Sequence, residues 1–305
     1  MEKKRILVLG TFDGVHRGHQ ELFRQAKRIG GQMNMKPCIL TFNCHPREVL
    51  GKKIKLLTLN DERISMLKNT GLECLVLTFD SILANMSPEE YIAYICARFN
   101  AGGIIAGSNH TFGCRASGTP RDIVRLADKY GYKTFIIPPI LTDDGERISS
   151  TLIRERLLDS EADAAAKMLG YNYFISGKVT RGQELGHTLG FPTANLEYSD
   201  KKLVPARGVY VTAARINGRD YQGMTNIGVR PTVSDTGVIT IETFLFDVSG
   251  DFYGKDMRVS FLKRIRAERK FSSKDELSSQ LCQDELIARA YLSTRGIKSG
   301  VNAEN

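Results

Sequence analysis

Two histidines three residues apart, His16 and His19, lie in the segment Gly10-Thr11-Phe12-Asp13-Gly14-Val15-His16-Arg17-Gly18-His19, between the apolar run Ile6-Leu7-Val8-Leu9 and a helical pattern. A strand that ends at glycine and turns into a helix aims free backbone N–H groups at a ligand, and such a helix end favours anions. Gly10, Gly14 and Gly18 let the backbone come close, and both imidazoles can donate to phosphate oxygens. The Lys-Ser/Thr pair of a P-loop is missing, so the segment reads as a different nucleotide-phosphate device. A second anion cradle is expected at Ile148-Ser149-Ser150-Thr151-Leu152-Ile153-Arg154, where hydroxyls open a helix and Arg154 follows one turn inside. The same residues would also serve as a simple helix cap. Together with Phe42–Pro46 and Gly107–Gly113, these segments suit transfer of a nucleotidyl group, chemistry that depends on positioning and charge stabilisation more than on covalent help.

Such residues need a scaffold that gathers them. In the first half, short apolar runs predict strands at Arg5–Gly10, Cys38–Phe42, Cys74–Phe79, Gly103–Gly107 and Thr134–Ile137. Helical patterns alternate with them at His19–Ile29, Asp61–Asn69, Pro88–Phe99 and Pro120–Tyr130. Ser87-Pro88-Glu89-Glu90 is a helix start with a cap, a proline at the first position and an acidic first turn. Strict alternation predicts a parallel sheet with helices on both faces, and ligands of such sheets bind beyond the carboxyl ends of the strands, where His16, His45 and Asn109 fall. A helical stretch from Ser150 to about Gly170 leads into another texture. Runs at Phe174–Val179, Gly208–Ile216, Tyr221–Ile227, Val238–Phe246 and Met257–Leu262, with an Asn217-Gly218 turn, predict a small antiparallel β-barrel. A C-terminal helix follows from Ser273, with a capping box to Glu276. The expected division is a nucleotidyltransferase-like α/β domain over 1–170, a barrel domain over 171–296 and a flexible tail over 297–305.

Composition narrows the class. The net charge of +9 is spread over both halves, which suits small polyanions such as ATP and supplies no basic stripe for nucleic acid. No run approaches a membrane span. Six cysteines at irregular spacing, without C-x-x-C, point to reduced thiols and a cytoplasmic protein.

Both halves resemble the bifunctional bacterial riboflavin kinase/FAD synthetase family. Gly10–His19 is similar to its G-x-F-D-G-x-H-x-G-H segment and Ile148–Arg154 to its I-S-S-T-x-I-R segment. The resemblance implies that the first domain joins FMN to the AMP part of ATP with magnesium, releasing pyrophosphate. His16 and His19 would steady the triphosphate, Asn109 would position it, and Ser150, Thr151 and Arg154 would hold phosphates. Gly10, Phe12, Gly14 and Gly18 would shape that pocket. Gly186-His187-Thr188-Leu189-Gly190-Phe191-Pro192-Thr193-Ala194-Asn195 resembles the flavokinase segment containing P-T-A-N. Its glycines, Gly190 among them, permit a tight flap over phosphates, and the oxygens of Thr193 and Asn195 are hard ligands suited to Mg2+. Glu242, on an otherwise apolar run, would be costly to bury as a core residue and is a general-base candidate. The resemblance assigns it the proton of the riboflavin 5′-hydroxyl as that attacks the γ-phosphate of ATP. Substrates and products implied are ATP, riboflavin, FMN and FAD; the sequence nominates no flavin-binding residue and no oligomeric state.

Four positions depart from the family pattern: Asn43, Cys44, His110 and His187. Three of them fall in the first half, leaving open a monofunctional enzyme with one inactive domain, or a flavin- or nucleotide-binding regulator without turnover.

Overall fold

The computed structural model describes residues 3–180, 193–230, 238–248 and 250–295. The chain forms two compact units, Met1–Leu152 and Ile153–Asn305.

In the first unit, β1 (Arg5–Leu9), β2 (Lys36–Phe42), β3 (Glu73–Leu77), β4 (Ala101–Gly107) and β5 (Lys133–Ile137) form a parallel sheet in the order β3-β2-β1-β4-β5. The apolar runs show no alternation because both faces are covered. Ile6, Val8 and Ile39 pack on Phe23, Ala26 and Ile29 of α1 (Arg17–Met33) and on Leu67. Leu7, Leu9 and Leu40 face the other way, onto Ile92, Ile95 and Ile123. Strand order reverses between β1 and β4, so the crevice beyond their carboxyl ends is the topological switch point.

Two short helices escaped the periodicity argument, α2 (Pro46–Val49) and α4 (Ser81–Asn85), each too brief to show a repeat. Between and after them run α3 (Asn60–Lys68) and α5 (Pro88–Phe99), the latter capped by Ser87 as expected. The helix expected over Pro120–Tyr130 divides at Leu126 into α6 (Pro120–Arg125) and α7 (Ala127–Tyr130).

Next, α8 (Ser150–Leu158) contains the division between the units, and α9 (Ala162–Leu169) belongs to the second. The Leu157 carbonyl accepts from the Ala206 amide at 3.0 Å, tying the end of α8 to the second unit. That is why the units part ahead of the change in sequence texture near residue 170.

The second unit is a closed antiparallel barrel in the order β10-β7-β6-β11-β8-β9. Its strands are β6 (Phe174–Thr180), β7 (Thr193–Tyr198), β8 (Gly208–Ile216), β9 (Arg219–Arg230), β10 (Val238–Leu245) and β11 (Asp256–Arg266). Asn217 (φ 49°) and Gly218 (φ 82°) are both left-handed, as the two-residue hairpin turn requires. Strand β7 was not among the expected ones, because the P-T-A-N segment reads as a loop until its pairing partners are known. Finally, α10 (Lys274–Thr294) starts at Ser273, which accepts from the Glu276 amide at 3.1 Å. The return arm of the expected capping box lands one residue early: the Glu276 carboxylate accepts from the Ser272 amide at 2.9 Å. Ala288 and Leu292 of this helix cover Val209, Val211, Met224 and Leu262 of the barrel.

Candidate functional site

Two sites take shape, one in each unit. In the first, β1 ends at Leu9 and the chain turns through Gly10–Val15 into α1, whose N-cap is His16. No side chain caps this helix and its first turn holds no acid, so its positive end is left for an anion. The rings of His16 and His19 stack at 3.6 Å between centroids, which places both imidazoles on one side of the turn. Burial, and then the charge of His16, hold the His19 pKa well below the ordinary imidazole value, so it meets a ligand as a neutral hydrogen-bonding group. Among the described residues its Nδ1 is buried without a partner.

The glycines have specific tasks here. A Cβ on Gly10 would come within 2.6 Å of the Phe12 ring, and one on Gly18 within 3.1 Å of the His16 ring. These two therefore make room for neighbouring rings, while Gly14 takes the left-handed backbone at φ 79°. Phe12 and Val15 are also left-handed, at φ 57° and 38°, a strained conformation for bulky residues that the surroundings must enforce. Phe12 itself is buried, edge-on to His19 and Phe23.

The enforcement comes from groups that the motif alone does not reveal. The Asp13 carboxylate is buried and accepts from the Leu57 amide, the Thr58 amide and the Thr58 hydroxyl at 2.9–3.2 Å, while that hydroxyl accepts from the Gly14 amide at 3.0 Å. Arg63, only 2% exposed, donates to the carbonyls of Thr11 and Phe42, both at 2.6 Å, and to Asn60 Oδ1 at 2.7 Å. Sequence reasoning passed over it, since an arginine in a helix reads as surface.

The Ser150 hydroxyl donates to the Asp13 carbonyl at 2.8 Å, joining the second cradle to the first, and Ser149 accepts from the Leu152 amide as a cap does. Thr151 is exposed at the first turn of α8, and Arg154 belongs to the second unit. Asn109 is exposed just past β4, its Oδ1 within 3.2 Å of where a Gly107 Cβ would lie. Beside it His110 stacks on Phe112, and burial pushes its pKa down to about 4. His45 caps α2 instead of projecting freely, accepting from the Arg47 amide at 3.2 Å. Asn43 Oδ1 accepts from the Phe79 amide at 3.0 Å, a bond that an acid in its place could also make.

In the barrel unit, pairing register brings together what the sequence kept apart. Glu242 of β10 stands opposite Asn195 of β7 on one side and Asn226 of β9 on the other. Directly opposed residues share a face, so the three side chains form one row across three strands. Glu242 is half-buried on the face it shares with Thr240 and Phe244, while Ile241, Thr243 and Leu245 fill the buried face. Behind the row the hydroxyls of Thr212, Thr225 and Thr243, all fully buried, are linked at 2.9 Å each. Thr193 and Asn195 lie two residues apart on β7 and so on one face, and Asn195 is 8% exposed. Their oxygens suit a hard divalent cation that takes its remaining ligands from phosphate and water. Gly190 and His187 lie outside the described residues.

Two family models match the chain: FAD synthetase over residues 1–152 and riboflavin kinase over residues 169–292. Bifunctional riboflavin kinase/FMN adenylyltransferase of Bacillus subtilis is 35% identical, covering 96% of this chain and 94% of that one. The protein of the same description from Listeria monocytogenes is 33% identical, with 94% and 92% covered. The chain belongs to the riboflavin kinase/FMN adenylyltransferase family. Membership accounts for why two dissimilar units are joined in one chain. A solved structure described as a macrolide-efflux protein from Streptococcus pneumoniae is similar to this chain, with a TM-score of 0.86, 35% identity and 95% of each chain covered. Among the described residues, no helix is long and apolar enough to cross a membrane.

Proposed function

We infer that the chain phosphorylates riboflavin to FMN with ATP in its barrel unit and adenylylates FMN to FAD with ATP in its sheet unit, releasing pyrophosphate. The observation that carries the reading is the match of each family model to its own compact unit, the first ending at the residue where the sheet unit ends. With both segments present, the alternatives of a monofunctional enzyme or a regulator without turnover are not favoured.

In the barrel, Glu242 takes the proton of the riboflavin 5′-hydroxyl as that oxygen attacks the γ-phosphorus, and ADP leaves. Thr193 and Asn195 would hold Mg2+, which would offset the phosphate charge. In the sheet unit, a phosphate oxygen of FMN attacks the α-phosphorus of ATP and pyrophosphate departs. His16, His19 and the open N-terminus of α1 donate hydrogen bonds to the triphosphate, with Asn109, Ser150 and Thr151 as further phosphate and positioning groups. The absence of acid from the first turn of α1 and the neutrality of His19 support this assignment. Incubating the purified chain with riboflavin, ATP and Mg2+ and resolving the flavins by chromatography tests both activities. FMN followed by FAD is expected; FMN alone would sink the adenylyltransferase assignment, and unchanged riboflavin would sink the kinase.

A further inference from the structure

His19 is held neutral, and its ring stacks on that of His16 at 3.6 Å. A triphosphate needs positive potential beyond what a neutral imidazole supplies. Arg63 is placed to provide it. Its described hydrogen bonds all go to neutral oxygens, the carbonyls of Thr11 and Phe42 and the amide of Asn60. The neighbouring Asp13 carboxylate, bonded to Leu57 and Thr58, also acts on Arg63 through its charge and offsets part of the desolvation that burial imposes on the guanidinium. Guanidinium stays protonated even when buried, so this is a permanent cation directly behind the Gly10–His19 turn. Because Thr11 follows β1 and Phe42 ends β2, the same fork holds the carboxyl ends of two adjacent strands.

We propose that Arg63 is a positioning residue for FAD formation with two separable contributions: its planar fork fixes the strand ends that carry the phosphate turn, and its charge attracts the triphosphate from behind the backbone. The proposal rests on the reading of the sheet unit as an ATP-dependent adenylyltransferase.

Steady-state FAD formation from supplied FMN, in the full chain, separates the two contributions. Arg63→Lys keeps the charge and loses the fork, while Arg63→Gln loses both. Expected for Arg63→Lys is an ATP KM within about threefold of the parent with kcat lowered about tenfold, and for Arg63→Gln an additional rise in ATP KM of about tenfold. Thermal unfolding of each variant reports whether the sheet unit remains folded. Should Arg63→Gln not fold, the KM-against-kcat split of Arg63→Lys still decides: an unchanged kcat, or a KM raised as much as kcat falls, overturns the proposal. Parental KM in a folded Arg63→Gln overturns the charge contribution. A parent chain that forms no FAD at all would instead overturn the underlying reading.

Discussion

At the scale of single residues, the sheet unit's chemistry centres on His19, an imidazole that burial keeps uncharged. His19→Ala removes a donor held against His16 and Phe12. It should slow FAD formation from supplied FMN by roughly a hundredfold and leave riboflavin phosphorylation at the parental rate. Equal loss of both activities would mean that the two sites are not independent. His110 offers a thermodynamic test. Its pKa is pushed down from 6.5 to about 4 by burial. Above pH 6.5 folded and unfolded chains are both neutral at this residue. As pH falls from 6.5 toward 4, the unfolded chain gains a proton that the folded one refuses, so stability declines through that window and levels off below it, by on the order of 3 kcal/mol. His110→Phe keeps a flat ring beside Phe112 and deletes the titration. Urea unfolding from neutral to mildly acidic pH should show a shallower loss for the variant than for the parent, and parallel profiles would discount the burial of the imidazole.

At the scale of elements, most strands and the long helices were legible because their signals are local. Unbroken apolar runs announced the sheet, Ser87 and Pro88 announced α5, and Asn217-Gly218 announced the hairpin. What the chain concealed was pairing. Nothing in the order of residues says that Glu242 faces both Asn195 and Asn226, because that depends on the register of three strands distant in sequence. Nor does a helical pattern disclose that Arg63 is turned inward to strand ends. The same holds for Arg266, which donates to the fully buried carboxylate of Asp284 on α10 at 2.9–3.0 Å and so fastens that helix to the barrel. Asp284→Ala leaves the guanidinium without its partner and should cost about 3–5 kcal/mol of stability. Chemical denaturation measures this directly, and a loss within a few tenths of a kcal/mol would assign the helix's attachment to Ala288 and Leu292 alone.

At the scale of the whole molecule, two units with separate chemistry allow one to be silenced without the other. Glu242→Gln preserves shape and removes the only base nominated for the kinase. The variant should make no FMN from riboflavin, with a rate loss of roughly a hundredfold or more, yet still convert added FMN to FAD. Chromatography of parallel reactions started from riboflavin and from FMN checks both halves of that expectation, and parental FMN production would dismiss Glu242 as the base.

The two topologies also differ in when each becomes complete as the chain is made. The parallel sheet has its last strand once Ile137 has been translated. The barrel's β6 and β8 both bond to β11, which begins only at Asp256. Growing from its amino end, the nascent polypeptide thus carries bare barrel-strand edges from the synthesis of β6 until β11 emerges, and a premature stop codon in that interval leaves those edges open to self-association.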